Sequence, residues 1–364
     1  MKILLTQLFS NGDCLLTTPL ARQIKEYDYP GCHLTWLISD RCKTVLDNNP
    51  YIDHIIVVKN PDMTTRERIH PIVENLVKDG YFFDKVFVLD PNSENSEYYD
   101  KTFKTSFLKI YAEKYEHRIK VPVEPLIFLS TQEVNNVKKF VHHHKINENN
   151  HYNILFECSP LSGQSSMNFE KALNIAKKLT EKYQNIFIIL SSKNKLQDTH
   201  ERIIGASAIS YRENAELLNY CHLLVGCASG ITWLNTTNWS KKIDTLQTIF
   251  YHTNYEDCKL GWSLECENMV LGLPVDNILE IASNTFDEKI LFNCICCIIE
   301  NGIKKTKTIY NKRPEKLIFG CINEMALMQI ERIFFWHRMA RQIRTCFTTQ
   351  ICIHKLVRHF KNLL

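Results

Sequence analysis

Lys2-Ile-Leu-Leu-Thr-Gln7, Leu8-Phe-Ser-Asn-Gly-Asp13 and Cys14-Leu-Leu-Thr-Thr-Pro-Leu-Ala-Arg-Gln-Ile-Lys25 follow one another at the N-terminus. The first is an apolar run of strand length, the second a polar turn with one carboxylate, the third an apolar stripe at helical spacing. Strand, tight turn and helix open a parallel α/β sheet. They place Asp13 at the C-terminal edge of the strands, where open α/β folds hold their ligands. On the residues alone two readings of Asp13 stand. It caps the helix, with Pro19 in the first turns, or it faces a ligand from a turn that Asn11-Gly12 allows to tighten.

The alternation continues. Lys2–Gln7, Leu34–Ile38, His54–Val58, Lys85–Leu89 and Leu126–Leu129 are expected strands. Helical stretches are expected up to Tyr27 and over Arg41–Asn48, Arg66–Lys78, Lys101–Glu116 and Gln132–His143, with Gly80 as a C-cap. A polar, Asn-rich stretch at 144–152 separates a second series: strands at Asn153–Phe156, Ile186–Ser191, Leu223–Gly226 and Ile243–Phe250, and helices at Phe169–Tyr183 and Ala215–Cys221. Strands alternating with helices imply a doubly wound parallel sheet, here twice over. The expected organisation is an N-terminal Rossmann-like domain over 1–148, a second over 149–302, and a helical tail over 303–364.

A chain of 364 residues is long enough for two cores, and 23% charged residues suit a globular protein. The longest apolar run, Ile290–Ile299, is half of what a bilayer requires. No cationic stretch leads into an apolar core and cleavage site, so no signal peptide is expected, and the fourteen cysteines read as reduced cytoplasmic thiols. Cys294, Cys296 and Cys297 lack a second spaced pair and read as apolar packing. His142, His143 and His144 point three ways on a helix and read as a solvated face. No metal site and no cofactor are expected.

Charge is uneven. Residues 303–364 hold thirteen Lys/Arg and three Asp/Glu, against 31 and 37 in the remainder. Ala326, Leu327, Ile330, Ile333, Phe334, Trp336 and Met339 interleave with Arg332, Arg338, Arg341 and Arg344 at helical spacing. Such a helix lies on an anionic membrane or packs back on the body with its cations solvated. The apolar interleaving disfavours nucleic acid.

Two stretches of the second half suit a phosphorylated ligand. Cys158-Ser-Pro-Leu-Ser-Gly-Gln-Ser-Ser166 leads into a helix and offers Ser159, Ser162, Gly163 and Ser165 around backbone N–H groups. An ordinary Ser-rich connection is the plain alternative. Further on, Arg212-Glu213 precedes the strand Leu223–Gly226, and Cys227-Ala-Ser229-Gly230-Ile-Thr232-Trp233 follows it.

The Asn11-Gly-Asp-Cys-Leu-Leu-Thr-Thr-Pro19 opening, the Asn49-Pro-Tyr-Ile-Asp53 turn and the Ser229-Gly230 region together resemble the glycosyltransferase family 9 proteins, the ADP-heptose:lipopolysaccharide heptosyltransferase-like enzymes. The likeness covers roughly residues 1–60 and 150–280. It implies the α/β GT-B architecture: two Rossmann-like domains facing across a cleft. It implies an inverting, metal-independent glycosyltransferase, with a nucleotide sugar as donor and a lipopolysaccharide or other lipid-linked saccharide as acceptor. The setting implied is cytoplasmic, at the inner face of a membrane. By the same resemblance Asp13 is the catalytic base. Glu213 is the ribose-binding acid, and Ser159, Ser162, Gly163, Ser165, Ser229, Gly230, Thr232 and Trp233 line the donor site. The sequence departs from the family pattern where Ala228 replaces an Asp, Trp233 replaces a His, and the loop Lys is replaced by Ser165 or Gln164, with Lys171 or Lys193 as substitutes. These departures leave a second reading open: a degraded transferase acting as a binding or scaffold partner. Trp233 reads either as a stacking surface or as a core anchor.

Overall fold

The computed structural model describes residues 1–61, 69–89, 107–147, 151–158, 165, 167–196, 200–252, 259–260, 263–283 and 287–310. The chain divides into Met1–Lys312 and Arg313–Leu364. The described residues all belong to the first unit, so the amphipathic pattern read over 323–364 lies outside them, as do Ser159, Ser162 and Gly163.

The first sheet has four parallel strands: β1 (Lys2–Thr6), β2 (His33–Ser39), β3 (His54–Val58) and β4 (Lys85–Val88), in the order β3-β2-β1-β4. Side chains alternate between faces, as a strand requires. Ile3, Leu5, Leu34, Trp36 and Phe87 join one core, and Leu4, Leu37 and Val88 another. Helix α1 (Asn11–Gln23) belongs to the first core, and α2 (Ile69–Lys78) packs on the second. Next come α3 (Phe107–Lys114) and α4 (Thr131–His143), which starts at a reciprocal cap: Glu133 N donates to Ser130 Oγ at 3.2 Å, and Ser130 N to Glu133 Oε2 at 2.7 Å.

Pro19 sits mid-helix in α1 rather than in its first turn. A proline there leaves the carbonyl four residues back without a donor. Thr18 supplies one: its hydroxyl donates to Leu15 O at 2.6 Å and accepts from Leu126 N at 2.7 Å. The expected strand over Leu126–Leu129 does not form. Its buried backbone is satisfied by side chains instead of a neighbouring strand, with Ile127 N on Asn238 Oδ1 at 2.8 Å and Phe128 O on Asn48 Nδ2 at 3.2 Å.

The second sheet contains β5 (Tyr152–Glu157), β6 (Ile186–Ser191), β7 (Ile203–Gly205), β8 (Leu223–Gly226), β9 (Asp244–His252), β10 (Lys259–Leu260) and β11 (Ile278–Ser283). The order is β10-β9-β8-β5-β6-β7, with β11 on β9, and every pairing but β10–β9 is parallel. Three of these strands, β7, β10 and β11, were not expected. Ile154, Phe156, Ile188 and Val225 pack with residues of α5 (Phe169–Lys182) and α9 (Glu288–Asn301). Leu155, Phe187, Ile189 and Leu224 point the other way. They share the core of α1 with residues of α6 (Glu213–Leu217) and α7 (Gly230–Leu234), so one apolar interior runs from the first sheet to the second.

Helix α8 (Leu264–Leu271) precedes β11, and α10 (Ile303–Tyr310) follows α9. Ile303 of α10 is buried in the core of the second sheet, and Lys307 pairs with Glu265 of α8 at 2.8 Å. Cys294 and Cys296 are buried in α9, consistent with packing. His142 and His143 are exposed at the end of α4. Among the described residues, no helix is long and apolar enough to cross a membrane.

Candidate active site

The N-termini of α1 and α7 meet. A Cβ on Gly12 would stand 3.1 Å from Trp233 Cδ1 and 3.6 Å from Gly230 Cα. One on Gly230 would stand 3.0 Å from Tyr211 Cε2 and 3.2 Å from Asn11 Cβ. A side chain at either position would press on these neighbours, which suits glycine in both turns. Each helix is also preceded by a residue in the left-handed region: Ser10 with φ of 57° before α1, and Ala228 with φ of 53° one residue before the α7 cap. Non-glycine residues held this way concentrate at functional sites.

The cap of α1 is Ser10, whose hydroxyl accepts from Asp13 N at 3.2 Å. Asp13 is therefore not the capping residue. It stands at the third helical position, half exposed, and its carbonyl accepts from Thr17 Oγ1 at 2.8 Å. Its carboxylate charge in the first turn suits the positive end of the helix dipole. Asn11, Asp13, Ser229 and Gly230 are half exposed, around the buried Gly12 and Trp233. Trp233 is 4% exposed and belongs to the shared core, so it anchors α7 against α1.

Beneath the turn between β8 and α7 lies Glu157, the last residue of β5 and 1% exposed. Its Oε2 accepts from Cys227 N at 3.1 Å and from Thr232 Oγ1 at 2.8 Å, and its Oε1 accepts from Ser229 Oγ. No cation pairs with it among the described residues. Burial pushes this carboxyl up to about 7, against the pull of Thr232 and Cys227. Thr232 also lies where a Cβ on Gly226 would overlap it, so the strand end, the turn and the acid form one packed unit. Ser165, 9% exposed, shares a 2.9 Å hydrogen bond with Thr248 Oγ1, which donates to Gly226 O at 3.3 Å. Sequence reasoning missed Glu157. Its signal was an acid closing the apolar run Ile154–Phe156.

Arg212 and Glu213 are committed to protein partners. Glu213 Oε2 accepts from Ser210 N at 2.8 Å and Oε1 from Asn136 Nδ2 of α4 at 2.9 Å, at 6% exposure. Arg212 holds Glu133 through Nε at 2.6 Å and Nη2 at 3.1 Å, and donates to the carbonyls of Thr44, Asp47 and Phe128. Burial pushes the Glu133 carboxyl up. The bonds from Arg212 and Ser130 outweigh this and hold it below the usual carboxylate range. Lys171 lies in the first turn of α5, and Lys193 is exposed. Among the described residues no three His, Cys, Asp or Glu side chains gather as a metal site would require.

No protein-family model matches the sequence, and no curated protein sequence matches it. Solved structures do match. A glycosyl transferase family 9 protein from Veillonella parvula DSM 2008 aligns over 89% of this chain and 97% of its own, with a TM-score of 0.52 at 13% identity. ADP-heptose LPS heptosyltransferase II of E. coli aligns over 83% of this chain and 100% of its own, with a TM-score of 0.49 at 13% identity. UDP-GlcNAc 2-epimerase from Neisseria meningitidis, solved with UDP-GlcNAc bound, aligns over 91% and 100%, with a TM-score of 0.46 at 9% identity. The chain has the glycosyltransferase GT-B fold that the opening motif and the two alternating series implied.

Proposed function

We propose that the protein is an inverting glycosyltransferase that uses a nucleotide sugar and needs no metal. The observation that supports this reading is the close approach of Asn11 and Gly12 to Gly230 and Trp233. It brings the N-terminal end of α1, on which Asp13 is partly exposed, to the turn that contains Gly230. In the proposed reaction Asp13 accepts the proton of an acceptor hydroxyl. That oxygen forms its bond to the anomeric carbon from the face opposite the leaving group. The bond from the anomeric carbon to the diphosphate oxygen breaks, and the nucleoside diphosphate leaves with the electron pair. The developing charge is met by hydroxyl and N–H donors of the Ser229–Gly230 turn and of the 159–166 loop, with Ser159, Ser162 and Gly163 as its contacts. Ser165, Thr232 and Trp233 hold the turn from beneath, and Glu213 holds α6 to α4.

The acceptor we propose is a lipid-linked saccharide, with the basic stretch after residue 310 resting on anionic lipid at the cytoplasmic face. Ten Lys/Arg against three Asp/Glu over 311–364 support this. Sedimentation with phosphatidylglycerol vesicles, compared for the full chain and a chain ending at 312, tests it. Loss of binding on truncation is expected.

A panel of ADP-, GDP-, UDP- and TDP-sugars tests the donor reading, since a specific donor raises the apparent melting temperature by mass action. With that donor, Asp13→Asn is expected to lower turnover by about 100- to 10,000-fold while leaving donor binding intact. A variant with full activity removes Asp13 from the role of base. The scaffold reading is favoured by one observation, the burial of Trp233 where the family pattern has a titratable His. It gains if no donor in the panel binds.

A further inference from the structure

Glu157 is a buried carboxylate whose three hydrogen bonds all come from one turn: Cys227 N, Thr232 Oγ1 and Ser229 Oγ. Ser229 is half exposed, so its one hydroxyl proton connects the buried acid with the surface of the turn. A hydroxyl has a single proton to donate, whereas an ionised carboxylate can only accept. While Glu157 is ionised it claims the Ser229 proton. Once protonated it can donate, and Ser229 is released to donate outward.

We infer that Glu157 is a positioning residue of the donor site: a nucleotide sugar whose diphosphate accepts the Ser229 hydroxyl takes up one proton from solvent, and Glu157 holds it. The inference rests on the donor-site reading above. Two effects drive it in the same direction. One is the competition for the Ser229 proton. The other is like-charge repulsion between a diphosphate and a carboxylate that has no cation beside it among the described residues.

The surrounding titratable groups do not compete. Immediately after β5 and after β8, burial pushes the Cys158 thiol up to about 12 and the Cys227 thiol well above its ordinary range. In the segment before α6, burial likewise raises the Tyr211 phenol. All three are neutral between pH 6 and 8.5. Glu157 itself, pushed up to about 7, changes charge inside that window.

The test is isothermal titration calorimetry of the full chain with ADP-glucose, GDP-mannose, UDP-glucose and TDP-glucose, whose diphosphate diesters do not titrate between pH 6 and 8.5. For a sugar nucleotide that binds, Kd is expected to be level below pH 7 and to weaken up to about tenfold per pH unit above it. Repeats in buffers of different ionisation enthalpy should report uptake approaching one proton per ligand at the alkaline end. Glu157→Gln is expected to bind with a pH-independent Kd and no proton uptake. Should that variant not fold, Ser229→Ala replaces it, with weaker binding at pH 6 and a shallower slope expected. A level wild-type Kd without proton uptake overturns the inference. So does a slope that persists in Glu157→Gln, or a Ser229→Ala variant with unchanged affinity and slope. Binding of no sugar nucleotide at any pH defeats the donor-site reading itself, and this inference with it.

Discussion

Replacing Arg212 by alanine removes the most heavily bonded side chain described between the two lobes. The guanidinium is 4% exposed and engages both oxygens of Glu133 and three carbonyls, from Thr44, Asp47 and Phe128. Adding those bonds one by one overstates their worth, because water would satisfy each group in the unfolded chain. The better comparison is a buried pair broken by loss of one partner, which costs about 3–5 kcal/mol. Glu133 keeps 20% side-chain exposure and so recovers some hydration, which places the expected loss near the lower end, about 3–4 kcal/mol. Arg212→Lys should lie between, since an ammonium can pair with Glu133 but lacks the planar fork that serves the carbonyls.

The pH dependence supplies a second check on the same pair. Glu133 is held below its ordinary 4.5 in the folded chain. Its contribution is therefore present above that value and lost as pH falls through the folded pKa. The gap between wild type and Arg212→Ala should narrow on acidification below about pH 4.5. Urea unfolding followed by tryptophan fluorescence at pH 7.5 and in steps down to about pH 3 measures both quantities. A loss under about 1 kcal/mol at pH 7.5, the range of an exposed pair, would refute the reasoning. A gap that stays constant on acidification would remove Glu133 as the partner that matters.

Three further outcomes follow from the packing around the turn. Glu157, raised from 4.5 to about 7 by burial, contributes stability that is complete below 4.5 and lost as pH rises through 7. Its shift corresponds to about 3 kcal/mol, so the wild type should lose that much between pH 4.5 and 8 from this group, and Glu157→Gln should show a flatter profile in urea unfolding. Gly226→Ala sets a methyl group into the Thr232 side chain and should cost about 1–3 kcal/mol with a weakened donor site, read by thermal melting and ligand shift. Thr18→Val removes the hydroxyl that serves both Leu15 O and Leu126 N; a loss of about 1–3 kcal/mol is expected, and an unchanged melting temperature would mean that water replaces it.

Local sequence carried the frame of the molecule. Apolar runs of strand length alternating with 3.6-period stripes were enough to place β1, β2, β3, β5, β6 and β8 within a residue or two, because each depends on its own periodicity and burial. The turn before α1 was legible for the same reason, although its cap went to Ser10 and not to Asp13. The short strand β7 carries too few residues for a periodic signal. Leu126–Leu129 carries a strand's composition without a strand's partners: the hydrogen bonds that satisfy it come from Thr18 and Asn238, residues about 110 positions away in the chain.

What local sequence determined, then, was two parallel α/β series and the turn carrying Asp13. Tertiary structure alone decided which residues meet. The opposition of Gly12 and Gly230, the reach of Arg212 to Glu133 and to three carbonyls, and the enclosure of Glu157 under Ser229 and Thr232 all join positions 70 or more residues apart. Periodicity reports which way a side chain faces within its own element. The partner it finds there is set by how separate elements pack, and a buried charge acquires its properties only from that packing.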